Sequence, residues 1–203
     1  AIEAYQRAVP PAAWPTTSIG THDQPRIAKR VGGAQARVAA MLLLTQRGTP
    51  TIYYGDEIGM RGVDVPPAEA RDPQGRRTGR NRDPERTPMQ WSGERNAGFS
   101  SADPWLPVSD DYATVNVAAQ SEDPRSLLAL HRRLIALRAS ERTLIEGAHD
   151  VVVRERPVLA YRRRDERRTF YVLLNLGDEP RRCEIERGRA GRIVLSTFLD
   201  RGD

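Results

Sequence analysis

The chain has 203 residues, of which 38% are hydrophobic and 29% are charged, a balance that fits a globular protein. Its net charge of +5 comes almost entirely from arginines, since Lys29 is the only lysine. These arginines are interleaved with acidic residues, as in residues 162–168, which is typical of a solvated edge rather than a phosphate-binding track. No apolar run approaches the ~20 residues of a membrane helix. Composition therefore predicts neither a nucleic-acid partner nor a membrane partner.

The single cysteine, Cys183, excludes an internal disulfide and a multi-thiolate metal site. No cofactor is predicted and no metal ligand is assigned. The unpaired cysteine and the lack of a visible signal sequence favour a cytoplasmic location. The sequence starts at Ala1 without a methionine and reads at once as the interior of a helix, so we expect the chain to be part of a longer protein.

The first 54 residues predict a helix and then a strand–helix–strand unit. Residues 1–9 indicate the end of a helix that a double proline stops. Residues 14–19 predict a buried strand, residues 27–46 a helix, and residues 51–54 a second buried strand. The predicted buried face of the helix comprises Val31, Val38, Met41, Leu42 and Thr45. This order favours parallel strands joined by a crossover helix, and hence an α/β fold.

Residues 56–123 show little periodicity and are rich in Pro, Gly, Asp and Arg, which predicts a long loop of functional importance. A helix is predicted over Pro124–Ser140, with Asp123 as its N-cap and Pro124 at its first position. Its buried stripe would comprise Leu127, Leu130, Leu134 and Leu137.

The hydrophobic period changes to two after about residue 144, which predicts an all-β domain over residues 144–203 behind a first domain of residues 1–143. The candidate strands are Val151–Glu155, Val158–Arg162, Thr169–Leu174, Cys183–Glu186 and Ile193–Phe198. Residues 175–178, with sequence Asn-Leu-Gly-Asp, predict a turn between two of them.

Two motifs indicate a catalytic or binding role. The segment Gly20–Pro25 closes the first predicted strand and opens the helix, and it contains His22 and Asp23. Strand-to-helix junctions are where α/β enzymes place their working side chains, because the fold directs those loops to one face. The second motif is the ten-residue block Arg82–Trp91.

The residues of these motifs resemble the C-terminal part of an α-glucosidase of glycoside hydrolase family 13, in the oligo-1,6-glucosidase-like branch. The similarity runs from about residue 5 to the end of the chain, and its clearest stretches are Gly20–Arg26, Gly48–Met60, Arg82–Trp91, Asn96–Phe99 and Pro104–Val108. The resemblance implies the C-terminal portion of a (β/α)8 TIM barrel followed by a small all-β domain, a β-sandwich. Residues 14–19 would be barrel strand seven and residues 51–54 strand eight.

The resemblance also implies roles for three residues. Retaining glycosidases use a carboxylate nucleophile and a carboxylic acid/base about 5–5.5 Å apart, and the family places both on strands that precede Ala1. Asp23 matches the third acidic residue, which binds substrate hydroxyls and stabilises the oxocarbenium-like transition state. His22 matches a histidine that binds ring hydroxyls, and Arg86 an arginine that holds the terminal glucose. The family usually has asparagine where this chain has Thr21.

Each of these residues also has a structural explanation. Asp23 could be only a turn residue, and His22 a buried core histidine. Arg86 could instead brace the long loop through an ion pair with Asp83 or Glu85. The adjacent carboxylates that follow the second strand, at residues 56 and 57, would point apart on an extended chain, so we interpret them as structural or site-rim groups rather than a catalytic pair.

The first functional hypothesis is a fragment of a retaining α-glucosidase that acts on α-linked gluco-oligosaccharides or disaccharides. Its partner would be the missing N-terminal part of the barrel, and the chain alone would be inactive. A sucrose or maltose isomerase of the same family is the first alternative. The others are a non-catalytic remnant or carbohydrate-binding module, and a member of the transporter-associated branch that keeps the barrel without catalysis.

Overall fold

The computed structural model of the chain describes residues 2–10, 13–185 and 190–201. Its helices are α1 (Ile2–Ala8), α2 (Ile27–Thr45), α3 (Pro73–Thr78), α4 (Val117–Glu122), α5 (Leu127–Ser140) and α6 (Arg142–Glu146). Its strands are β1 (Thr16–Ser18), β2 (Thr49–Thr51), β3 (Ala148–Glu155), β4 (Val158–Arg164) and β5 (Thr169–Asn175). Among the described residues, no helix combines the length and apolarity needed to cross a membrane.

The chain divides into two compact units that alternate along the sequence. The first unit comprises residues 1–17, 38–51 and 132–203, and the second comprises residues 18–37 and 52–131. The predicted domain boundary between residues 143 and 144 stays a prediction.

The first unit contains both sheets, apart from the last residue of β1. Strands β1 and β2 form a two-stranded sheet, and β3, β4 and β5 form an antiparallel meander in which β4 is central. Alternation along β4 and β5 buries Tyr161, Val172 and Leu174 on one face, because successive side chains of a strand point to opposite sides. Val38 and Met41 of α2 pack against this cluster.

Two buried arginines complete the first unit by satisfying backbone carbonyls where α2 ends. Nη1 of Arg138 donates to the carbonyls of Leu44 (3.1 Å) and Gln46 (2.8 Å). Nη1 of Arg163 donates to the carbonyls of Thr45 and Leu144, at 2.7 Å each. The last carbonyls of a helix have no intrahelical donor, and a cation there also interacts favourably with the helix dipole.

The second unit has its own apolar cluster of Ile58, Met60, Met89 and Leu128, with Val117 packed against it. These residues come from the irregular segment and from the start of α5. The predicted long loop over residues 56–123 is therefore wrong in part, because the segment contains helices α3 and α4 and several single helical turns and is ordered by a small core of its own.

Predictions for the first half of the chain need four corrections, of which the first is that the two short strands are not buried, since Thr16 and Ser18 of β1 and Thr49 and Thr51 of β2 are exposed. Strand β2 covers Thr49–Thr51, so the predicted strand at residues 51–54 lies two to three residues too late. Val31 is 42% exposed, because Gly32 has non-helical backbone angles and breaks the period of α2. Helix α5 begins at Leu127 rather than Pro124, and the hydroxyl of Ser126, not Asp123, accepts from the N–H of Ala129 (3.0 Å).

Three of the predicted late strands are confirmed as β3, β4 and β5, and two are wrong. Residues 183–185 and 193–198 form no strand, while Glu186 lies outside the described residues. The second segment instead turns, since the N–H of Leu199 donates to the carbonyl of Ser196 (3.2 Å) and Leu199 has φ of 57°. Phe198 is 57% exposed, so alternation of apolar residues here does not reflect a buried face.

Candidate functional site

His22 and Asp23 lie on a surface turn that follows β1. The hydroxyl of Ser18 donates to the carbonyl of Gly20 (2.6 Å), and the N–H of Asp23 donates to the hydroxyl of Thr21 (3.2 Å). The side chain of His22 is 61% exposed and that of Asp23 is 48% exposed. His22 is therefore not a buried core histidine, and both side chains are open to a ligand.

Three basic side chains converge on one oxygen of Asp23. Nη1 of Arg82 donates to Oδ1 at 3.1 Å, Nη2 of Arg86 donates to it at 3.3 Å, and Nε2 of His22 lies 3.4 Å from it. Arg86 also reaches the backbone, since its Nε donates to the carbonyl of His22 (3.3 Å). Because these contacts share Oδ1, they orient the carboxylate and leave Oδ2 to accept hydrogen bonds from a ligand hydroxyl.

Arg82 is held rigidly by Asp72. Nε of Arg82 donates to Oδ2 and Nη2 donates to Oδ1 of Asp72, both at 2.8 Å, which is the two-bond geometry that a guanidinium favours with a carboxylate. These hydrogen bonds hold the pKa of Asp72 well below its usual range. Asp72 also caps α3 by accepting from the N–H of Gln74 (3.1 Å). A buried carboxylate thus fixes the arginine that contacts Asp23.

The segment that carries Arg82 and Arg86 is anchored by the two tyrosines that follow β2. The hydroxyl of Tyr53 donates to the carbonyl of Glu85 (2.9 Å), and that of Tyr54 donates to the carbonyl of Thr87 (2.7 Å). These bonds connect the second predicted strand region with the ten-residue block. They hold the ten-residue block beside residues 53–54, which lie about 30 residues earlier in the chain.

Of the carboxylates near Arg86, that of Asp83 is engaged elsewhere and that of Glu85 is buried. Oδ2 of Asp83 accepts from the backbone N–H groups of Arg71 (2.6 Å) and Asp72 (3.1 Å), and burial raises the pKa of Glu85. The ion pair observed for Arg86 is with Asp23. The structure therefore places Arg86 at the candidate site rather than in the loop-bracing pair considered from the sequence.

Asp56 is the most unusual carboxylate of the second unit. It is 5% exposed, and burial raises its pKa to about 6. The neighbouring Glu57 raises this pKa further, whereas Arg26 opposes the shift. Such burial fits the interpretation of Asp56 as a structural carboxylate rather than one that meets substrate.

Sequence reasoning missed Arg82 and Asp72 as members of the site. Arg82 opens the ten-residue block but carried no feature that set it apart from the many other arginines. Asp72 precedes a proline, which signals a helix N-terminus and is confirmed by its capping bond, but that signal does not reveal a partner ten residues away. Arg80 also reaches this site, since its Nη2 donates to the carbonyl of Asp23 at 3.5 Å.

The candidate site thus combines an exposed, oriented carboxylate with three basic side chains around one of its oxygens. The family model described as "Alpha amylase, catalytic domain" matches residues 1–147. The chain belongs to this family of glycoside hydrolases. The fold prediction is confirmed, because the structural neighbours are barrel enzymes of the family and the chain combines part of such a barrel with an antiparallel sheet.

The curated relatives include several glycosidases. Oligo-1,6-glucosidase of Parageobacillus thermoglucosidasius is 31% identical, over 86% of this chain and 36% of that protein. Trehalose-6-phosphate hydrolase of Escherichia coli is 36% identical, over 86% of this chain and 37% of that protein. The human amino acid transporter heavy chain SLC3A1 is 37% identical, over 87% of this chain and 25% of that protein. The chain thus spans only about a quarter to a third of the length of these relatives.

Similar solved structures include trehalulose synthase MutB from Pseudomonas mesoacidophila MX-45, with a TM-score of 0.78 and 32% identity over 83% of this chain and 36% of that one. A MutB variant in complex with glucose gives a TM-score of 0.83 and 31% identity, over 89% of this chain and 38% of that one. Both likenesses are supported by sequence identity as well as by fold.

Proposed function

We propose that this chain provides the transition-state-stabilising and sugar-gripping side of the active site of a retaining α-glucosidase. The observation that carries the proposal is the convergence of His22, Arg82 and Arg86 on Oδ1 of Asp23. The substrates would be short α-linked gluco-oligosaccharides or disaccharides. The nucleophile and the acid/base would come from barrel strands that precede this segment, so the 203-residue chain would be inactive alone.

The role of Asp23 follows from the charge that develops during glycoside cleavage. The sugar ring flattens and gains positive charge at the transition state, so hydrogen bonds from ring hydroxyls to a carboxylate strengthen there. With Oδ1 held by basic side chains, Oδ2 would accept from a sugar hydroxyl without a change of rotamer. Preorganisation of this kind removes the reorganisation cost at the moment of reaction.

Arg86 would grip the terminal glucose. Its guanidinium has five donors in one plane, of which Nε and one Nη2 hydrogen are used by the His22 carbonyl and by Asp23. The remaining donors would reach sugar hydroxyls. His22, which is exposed beside the same carboxylate, would bind a further hydroxyl.

An isomerase is the second candidate, and the structural likeness to trehalulose synthase MutB favours it. Hydrolase and isomerase would use the same residues of this chain. They differ in whether water or a sugar hydroxyl accepts the glucosyl group. Product analysis with sucrose and with maltose separates them, since hydrolysis releases monosaccharides and isomerisation gives a new disaccharide.

The experiment compares the 203-residue chain with the protein encoded by the complete reading frame. Each is assayed with p-nitrophenyl α-glucoside, maltose and isomaltose, and proton NMR follows the anomer that is released first. We expect no turnover by the chain, and turnover with release of the α-anomer by the complete protein. The complete protein is also assayed as Asp23→Asn, and Asp110→Asn, at an exposed aspartate of the second unit, is its matched control.

Three outcomes would change the proposal. Turnover by the isolated chain would show that it contains its own carboxylate pair. Release of the β-anomer would exclude a retaining mechanism. A complete protein that folds but cleaves none of these substrates would support the non-catalytic alternative.

A further inference from the structure

Asp56 packs against the backbone that leads into the His22–Asp23 turn. A Cβ built on Gly20 would overlap Oδ2 of Asp56 and lie 2.8 Å from its Cγ. Gly20 is not among the glycines with positive φ, so its backbone conformation alone would admit alanine. The side chain of Asp56 therefore explains why only glycine fits at this position.

Asp56 and Arg26 place opposite charges in the interior of the second unit. Arg26 is fully buried, and its Nη1 donates to the carbonyl of Tyr54 (2.5 Å). Its guanidinium carbon lies 4.6 Å from the centroid of the Tyr54 ring. Within the described part of the chain, Nε and Nη2 of Arg26 and both carboxylate oxygens of Asp56 lack a hydrogen-bond partner. The charge of Arg26 thus acts on Asp56 through space.

Other groups around Asp56 modulate this interaction. The charge of Arg30 favours the ionised carboxylate, and that of Glu57 opposes it. The N–H of Ile27 also favours the ionised form, although its geometry falls short of a hydrogen bond. None of these groups provides the paired hydrogen bonds that would offset burial of a charge.

A buried, poorly paired carboxylate lowers the stability of the fold, and an apolar residue of similar size would cost less. The contact with Gly20 supplies a reason for a carboxylate at this position. We propose that Asp56 is a positioning residue of the candidate site. It fixes Gly20, and through Gly20 it sets the placement of the turn that presents His22 and Asp23. The inference rests on the proposed function only in treating this turn as the sugar site.

Positioning has a kinetic signature. Misplacement of a catalytic group by about 1 Å costs roughly 100-fold in rate. Loss of Asp56 should therefore lower kcat by roughly 10- to 100-fold, with a smaller effect on KM, because alignment matters most at the transition state. A residue that only stabilised the fold would leave kcat per folded molecule unchanged.

The experiment uses the complete protein and four variants: Asp56→Ala, Gly20→Ala, the double variant of both, and Gly33→Ala. Gly33 is the matched control, since its φ is not positive and a Cβ there would meet no atom within 4 Å. Amide hydrogen exchange of the segment 20–24 is measured by mass spectrometry, together with kcat and KM for maltose. Asp56→Ser replaces Asp56→Ala in every comparison if the alanine variant does not fold.

We expect Asp56→Ala to speed exchange of residues 20–24 about tenfold, because local protection depends on packing, and Gly33→Ala to leave it unchanged. Gly20→Ala should disturb the turn only while Asp56 is present, so the double variant should recover part of the lost kcat. Unchanged exchange in Asp56→Ala, or an effect of Gly20→Ala that is the same with and without Asp56, overturns the proposal. A wild-type protein without turnover refutes the proposed function, whereas the exchange data still decide the role of Asp56.

Discussion

The buried carboxylate of Asp56 gives the chain a pH-dependent stability that Asp56→Asn should remove. Burial raises the pKa of Asp56 from 3.8 to about 6 in the folded protein. The folded state therefore binds this proton more tightly than the unfolded state does. Asp56 adds stability below pH 4, and this contribution is lost as the pH rises from about 4 to about 6.

The size of the effect follows from the shift. About two pKa units at about 1.36 kcal/mol each amount to about 3 kcal/mol of unfolding free energy. Asparagine has nearly the same shape and does not titrate. The stability of Asp56→Asn relative to the wild type should therefore rise by about 2.4 kcal/mol between pH 4 and pH 7, because part of the full effect is already lost at pH 4.

Urea unfolding followed by tryptophan fluorescence measures this difference at half-unit steps from pH 4 to pH 7.5. Taking the difference between two nearly identical proteins cancels the titration of shared groups, including Glu85. Asp110→Asn, at an exposed carboxylate, is the matched control. A flat difference for Asp56→Asn, within about 0.5 kcal/mol, would show that Asp56 titrates normally, and the argument from burial would fail.

Three further predictions concern the two units. Asp23→Asn in the complete protein should lower kcat by roughly 10²–10³-fold while product inhibition constants change little, since one preorganised electrostatic group is lost; near-normal kcat in steady-state assays would leave Asp23 as a turn residue. Arg86→Lys should raise KM and lower kcat/KM for maltose by roughly 10- to 100-fold, because a planar fork becomes one mobile ammonium; a lower melting temperature with unchanged kcat/KM would assign Arg86 to the loop instead. Arg163→Met should cost about 3 kcal/mol or more in urea unfolding, because several buried carbonyls lose their donor, whereas Arg164→Met, at a half-exposed ion pair with Asp150, should cost less than about 1 kcal/mol. Equal costs for the two arginines would contradict the capping role of Arg163.

The sequence was most informative where the candidate site residues lie within a segment whose secondary structure can itself be predicted. His22 and Asp23 follow a strand and precede a helix, so their exposure on a loop could be predicted from local pattern. The position of Arg86 beside Asp23 followed from resemblance, because no local rule brings together residues 63 positions apart. The functional roles of these three residues remain predictions.

Other features depend on tertiary contacts, which the residue pattern of the sequence does not reveal. The pairing of Arg82 with Asp72 requires that a loop return on itself, and neither residue belongs to a periodic element. Gly32 changes the exposed face of α2 through one pair of backbone angles, although glycine inside a helical pattern is often tolerated. The segment 193–198 alternates as a strand does, but a strand also needs a neighbour to bond with, and the chain turns there instead.

The buried arginines of the two units differ in how many of their donors find acceptors. In the first unit, Nη groups of Arg138 and Arg163 donate to carbonyls at and just after the end of α2, so both charges strengthen that end, although Nε of Arg163 finds no partner among the described residues. In the second unit, two nitrogens of Arg26 and both carboxylate oxygens of Asp56 find no hydrogen-bond partner among the residues that the structure describes. Natural folds satisfy nearly all buried polar groups, and the exceptions concentrate at sites kept for function. By stability alone an apolar residue would suit position 56 better, whereas the proposed placement of Gly20 and of the turn after it accounts for a carboxylate there despite its cost.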